Sequence, residues 1–197
     1  MATETEISQS TDVMVDIETM GRRPYCPILS IGAVRFDTDP NRLLVADPEA
    51  DLFYQPIRLA SCLDVGLKVD AATLIWWTQQ DDKARSVLND PSAVDLPIAL
   101  DAFTDWLNSR PDQLWGNSAR FDFGILEAAY VACGKEVPWQ FWRERCYRTI
   151  KNEPYAKNVQ LVRQGTYHNA LDDAMSQADH LKRIFAVRDN VTTQKGN

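Results

Sequence analysis

Long apolar runs are missing from these 197 residues. No stretch approaches the ~20 residues that a membrane-spanning helix needs, so a membrane role is set aside. The opening MATETEISQS lacks the basic start and apolar segment of a secretory leader, which points to a cytoplasmic protein. Paired cysteines are missing as well. Cys26, Cys62, Cys133 and Cys146 stand far apart with no C-x-x-C spacing, which argues against zinc and for reduced, mostly buried thiols. Basic charge is in deficit, 21 Lys and Arg against 28 Asp and Glu, for a net −7. That balance runs against an ordinary nucleic-acid binder, which carries a basic footprint. An enzyme working through carboxylate-held cations escapes the objection, because its acidic site attracts phosphate once the cations are bound.

What is present is the composition of a folded protein, 45% hydrophobic and 10% aromatic, long enough for a real core. The pattern predicts one domain over 11–188, a flexible tail at 1–10 and a polar tail at 189–197. Two β-rich stretches, the first beginning near residue 11 and the second at 28–37, read as a hairpin around a Gly- and Pro-containing loop. Residues 37–51 are turn-forming, and 52–57 read as a third strand. Helical patterns follow at 71–80, around 82–88 and at 96–109, the last with Ile98, Phe103, Trp106 and Leu107 toward a core. A short strand at 113–116 leads into a helix over 120–133 with Gly134 as its stop. A strand at 141–147, a short helix at 158–162 and a long helix over 168–187 complete the chain. Strands first, then alternating helix and strand, predict an α/β or mixed α+β fold with one central sheet.

The first strand carries the first chemical signal. Val13, Val15 and Ile17 fall on one face, and Met14, Asp16 and Glu18 on the other. The Cα atoms of Asp16 and Glu18 are then roughly 6–7 Å apart. Two carboxylates on one face repel unless a cation lies between them, and hard divalent ions prefer oxygen donors. Taken alone, the pair is more simply an acidic solvent face of an edge strand. A second acidic group, Asp122, follows a polar turn after the strand at 113–116, where a favourable charge near a helix N-terminus is the simpler role. A third lies at the head of the last helix. That helix would bury Ala174, Ala178, Leu181 and Phe185. At 100° per residue, Asp173 falls on the flank of this stripe, facing a cleft, and Asp172 on the far side, facing water.

These three sites resemble the motifs of the DEDDh branch of the DnaQ-like 3′→5′ exonucleases, on the ribonuclease H-like fold. D-x-E-T with a nearby Gly is matched by Asp16, Glu18, Thr19 and Gly21. N-x-x-x-F-D is matched by Asn117, Phe121 and Asp122, and H-x-x-x-x-D by His168, Ala170 and Asp173. The resemblance selects Asp173 over Asp172, in agreement with the helical wheel. Trp76 and Trp77 with Gln80 look like an element of stand-alone phage and bacterial DexA-type exonucleases, which include exoribonucleases.

The resemblance implies a central mixed five-stranded sheet flanked by helices. It implies two Mg²⁺ or Mn²⁺ ions held by Asp16, Glu18, Asp122 and Asp173, with His168 as general base. The reaction implied is release of nucleoside 5′-monophosphates from a single strand with a free 3′ end. RNA is favoured over DNA, though no motif separates them, and a homodimer follows from family habit. Thr19, Met20, Asn117, Phe121, Trp76 and Trp77 are the expected substrate contacts. Neighbours on a helix diverge by ~100°, so one of the two tryptophans lines a groove. Arg120, Arg143, Arg145, Arg148 and Lys151 are candidate phosphate contacts, and His180 is structural. Two other classes compete: a catalytically silent nucleic-acid-binding module on the same fold, and a nuclease that cuts internally.

Overall fold

Strand β1 (Asp12–Thr19) is the centre of the molecule, hydrogen-bonded on both sides and covered on both faces. The computed structural model describes residues 12–39, 47–107 and 111–195. The expected tail at 1–10 therefore lies outside the described residues, as do parts of the 37–51 turn region and the end of the 96–109 helix. Strand β2 (Ile28–Phe36) runs antiparallel to β1, α1 (Pro48–Asp51) follows, and β3 (Leu52–Pro56) pairs with β2. Four helices come next: α2 (Leu59–Asp64), α3 (Ala71–Thr78), α4 (Asp82–Arg85) and α5 (Leu96–Leu107). Strand β4 (Leu114–Gly116) then runs parallel to β1, α6 (Ala119–Ala132) leads away from it, and β5 (Glu144–Cys146) pairs parallel with β4. Helices α7 (Tyr147–Lys151) and α8 (Ala170–Lys195) close the fold. The sheet is mixed and five-stranded in the order β3-β2-β1-β4-β5, as expected.

The period-two pattern of β1 divides the core as predicted. Val13, Val15 and Ile17 join the cluster under α5 and α6, with Leu100, Phe103, Leu126 and Tyr130. Met14 joins the opposite cluster with Ala174, Ala178, Leu181 and Phe185 of α8. Asp16 and Glu18 share the face of Met14 and therefore point toward α8. All four cysteines are free thiols.

The structure departs from the sequence reading in several places. Ile98 is 57% exposed. At 100° per residue it lies opposite the stripe of Leu96, Ala99, Leu100, Phe103 and Leu107 that α5 buries. Residues 158–162 are not helical; the helix falls earlier, at α7, and a 3₁₀ turn follows at Pro154–Ala156. The expected strand at 141–147 is shortened to three residues by a 3₁₀ turn before it and α7 after it. Helix α8 runs on to Lys195, past the expected end at 187.

One crossing positions the site. The start of α8 passes over β2 so closely that a Cβ on Gly32 would sit 2.2 Å from the Ala170 carbonyl carbon and the Leu171 nitrogen. Gly32 is also the register partner of Asp16. Gly32→Ala is therefore expected to push α8 off the sheet at a cost of about 3 kcal/mol. The melting temperature should fall by about 10 °C, together with activity; an unchanged melting curve would refute the close approach.

Candidate active site

Strand β4 ends at Gly116, opposite Val15, so Asp16 and Glu18 project beyond it. A cleft of about 570 Å³ opens there, beyond the C-terminal ends of the parallel strands, where α/β sheets bind ligands. Asp16, Glu18, His168 and Asp173 line it, with Thr19, Trp76, Asn117 and Phe121. Single ligand atoms of Glu18, His168 and Asp173 lie within 4.8 Å of one another, and His168 Nδ1 is 3.9 Å from Glu18 Oε1.

Local structure explains how each group arrives. His168 has φ 63°, a left-handed backbone that costs a non-glycine residue about 1–3 kcal/mol. Its N–H donates to Asp173 Oδ2 (3.1 Å), and the next residue, Asn169, accepts from the N–H groups of Leu171 and Asp172 and caps α8. The turn thus aims the imidazole back across the helix start. Asp172 does not simply face water, as the wheel suggested. Its Oδ2 accepts the Thr166 N–H at 2.6 Å, pinning the loop that enters the turn. Asp122 lies beneath the cleft floor rather than in its wall. It accepts the Ser118 N–H at 3.2 Å, and only a glycine at 116 leaves room for it, since a Cβ there would stand 2.8 Å from Asp122 Oδ2.

The two tryptophans separate as the helix geometry requires, one inward and one outward. Trp77 is buried, and its indole N–H donates to the Thr19 carbonyl at 2.9 Å. Trp76, 38% exposed, lines the cleft edge-on to His168, ring centres 4.9 Å apart. The expectation of a substrate contact is corrected for Trp77, which holds the end of β1 instead. It is corrected also for the side chain of Met20, which is buried against Leu29, Trp77, Ala84 and Val87. Of the basic candidates, Lys151 lines the cleft and donates to Asn117 Oδ1 (3.1 Å), and Arg148 donates to the Asn117 carbonyl (2.9 Å). Arg143 bonds Asp112 and Arg145 bonds Gln113, outside the cleft wall. His180 is structural, donating to the Val159 carbonyl (2.7 Å) and accepting from the Tyr147 hydroxyl (2.5 Å).

Sequence reasoning missed Arg163, Tyr167 and Gln177 as cleft residues. Arg163 donates to Asp173 Oδ1 at 2.6 Å and stacks over the Tyr167 ring, which in turn lies 3.7 Å, centre to centre, from His168. Gln177 donates to Asp16 Oδ1 at 2.8 Å. It stands four residues after Asp173, on the same helix face, and that spacing could have found it. No spacing announces Arg163, which comes from an irregular loop.

The electrostatics suit the binding of cations. Burial, followed by the charges of Asp122, Glu18 and Asp173, raises the Asp16 carboxyl well above its usual value. Burial, then Asp173 and Asp122, pushes Glu18 up to about 8. Burial raises Asp122 to about 7 against the hydrogen bond from Ser118. Asp173 is raised by burial and held back by Arg163. His168 is lowered, chiefly by burial, and is neutral at pH 7. Among the described residues, the buried Oε1 of Gln177 also has no hydrogen-bond donor. Repelling carboxylates, an orphaned oxygen and hard donor chemistry fit divalent metal ions.

This sheet gathers Asp16, Glu18, Asp122, Asp173 and His168 at one end, a set of hard donors suited to divalent metal ions. Residues 11–185 match the model of the Rv2179c-like 3′-5′ exoribonuclease domain, and the chain belongs to that family. No curated protein sequence matches it. Three solved structures share the fold. Cell-death related nuclease 4 (CRN-4) superposes with a TM-score of 0.60 at 14% identity, over 90% of this chain but only 64% of its own. The nuclease domain of 3′hExo, a DEDDh family member bound to rAMP, gives 0.59 at 14% identity over 91% of this chain and 94% of its own. S. pombe Pop2p in its Mg²⁺- and Mn²⁺-bound form gives 0.60 at 15% identity over 91% and 84%. No helix among the described residues is long and apolar enough to cross a membrane.

Proposed function

We propose that the chain removes nucleoside 5′-monophosphates one at a time from the 3′ end of single-stranded nucleic acid, RNA in preference to DNA. The observation that carries this reading is the convergence of Glu18, Asp173 and His168 within 4.8 Å in an open cleft. Asp16, Glu18, Asp122 and Asp173 would hold two Mg²⁺ or Mn²⁺ ions, which when bound supply positive charge against the scissile phosphate and its departing 3′-oxygen. His168, neutral at pH 7, takes the proton of the attacking water as general base. Tyr167 and Trp76, against two sides of the imidazole, fix its orientation. Phe121 and Trp76 stack on the terminal bases, each worth ~1–3 kcal/mol. Lys151 faces the phosphates from the opposite wall, and family membership supports RNA.

The test is a time course on 5′-labelled single strands of RNA and DNA of one sequence, with Mn²⁺, Mg²⁺ or EDTA, and with the 3′ end free or blocked. The expected result is a ladder shortening from the free 3′ end, faster on RNA and absent in EDTA. Cleavage of the blocked strand would mean an internal nuclease. Binding without shortening would mean a silent module.

A further inference from the structure

A second cavity of about 480 Å³ adjoins the catalytic cleft. Its walls are Arg22, Arg23, Pro24, Ser118, Arg120 and Phe121, three arginines and no carboxylate. In a chain of net charge −7, such a basin stands out against the rest of the surface. The arginines arrive from two separate segments, the loop after β1 and the first turn of α6. Neither Arg23 nor Arg120 has a side-chain partner among the described residues. Among the described residues Arg22 reaches only Asp70, at 3.9 Å, with its side chain 76% exposed. Arg22 and Phe121 line both cavities, so the basin continues the cleft.

We propose that this basin binds the backbone phosphates of the substrate strand a few nucleotides upstream of its 3′ end. The proposal rests on the exonuclease reading above. With the 3′ end placed among Glu18, His168 and Asp173, the strand leaves the cleft between Arg22 and Phe121. A base stacks on Phe121, and the next phosphates fall among guanidinium groups whose planar fork matches phosphate oxygens. The cleft is lined by carboxylates that repel phosphate until cations are bound, whereas the basin has three arginines and no carboxylate in its walls. The two together set the register of the strand and make longer strands better substrates than the shortest ones.

The test compares wild type, Arg23→Gln, Arg120→Gln and the double variant on 5′-hydroxyl oligoribonucleotides of two, four and eight nucleotides, with a 5′-phosphorylated dinucleotide as a further arm. In the double variant, the wild-type preference in kcat/KM for the octamer over the dimer is expected to fall about tenfold. The dependence of log KM on log salt should lose a slope of about one per arginine. An unchanged preference and slope, or an equal loss at every length, would overturn the proposal. So would a loss confined to the 5′-phosphorylated dinucleotide, which would make the basin a site for a terminal phosphate. Should wild type degrade no oligonucleotide with Mn²⁺, the exonuclease reading fails separately. The basin is then read by anisotropy of a labelled octamer in EDTA, where tenfold weaker binding by the double variant supports it and equal binding rejects it.

Discussion

Asp16→Asn is expected to lower hydrolysis at least about a thousandfold and to raise, not lower, the melting temperature of the metal-free protein. Removing one charge-stabilising group from a water-excluded site costs about 10²–10³ in kcat, and Asp16 is also a proposed holder of the ions on which the reaction depends. The stability side has the opposite sign. The Asp16 carboxylate is taken out of water and faces Asp122, Glu18 and Asp173, with the Gln177 amide as its hydrogen-bond donor. Asparagine keeps the shape and the Oδ1 that accepts from Gln177, and it removes the repulsion. Active sites carry strain of this kind, so stability and function trade against one another. Calorimetry in EDTA and a steady-state assay with Mn²⁺ make the measurement. Activity above a tenth of wild type would remove Asp16 from the mechanism, and a melting temperature lower by more than about 5 °C would refute the account of repulsion.

The metal-free protein should become less stable as pH rises from 5 to 9, the reverse of a chain whose carboxylates are paired. Burial and neighbouring carboxylates hold Glu18 protonated up to about 8, against an ordinary value of 4.5, and burial holds Asp122 protonated up to about 7, against 3.8. Between those limits the native state binds protons that the unfolded chain has released, so stability falls with pH. The contribution is complete below about pH 4 and is lost as pH passes through 7 and 8. Each unit of difference corresponds to about 1.4 kcal/mol. The melting temperature in EDTA is thus expected to fall on the order of 10–15 °C across the interval. With 1 mM Mn²⁺ most of that fall should vanish, because a bound cation replaces the protons and binds best to ionised ligands. A flat profile in EDTA, or the same fall with and without Mn²⁺, would show that these groups do not face each other as described.

The features legible in the sequence are those with a short period or a fixed spacing. Alternation along β1 assigned Asp16 and Glu18 to one face and Val13, Val15 and Ile17 to the other. The 3.6-residue period of α8 placed Ala174, Ala178, Leu181 and Phe185 on the sheet and Asp173 beside it. The residue after His168, Asn169, which caps α8, sits inside the motif itself. Each of these is local, because side-chain direction follows from the backbone of the residue's own element.

What the sequence could not settle depends on packing between segments distant in the chain. Adjacent tryptophans must diverge, but which one is inside follows from the carbonyl of Thr19, 58 residues earlier, that receives the Trp77 indole. Met20 reads as a cleft residue until Leu29, Ala84 and Val87 are seen to close around it. Arg163 lies on a loop without periodicity, and only the folded chain brings its guanidinium onto Asp173 and its stack onto Tyr167. The sequence by itself determined the sheet's first strand, the shared face of Asp16 and Glu18 and the flank position of Asp173, because periodicity acts along the chain, while Asp122 and His168 stood out only through motifs that resemble a known family. The tertiary structure alone decided the cleft walls and the cation beside the carboxylates, because those depend on which surfaces meet.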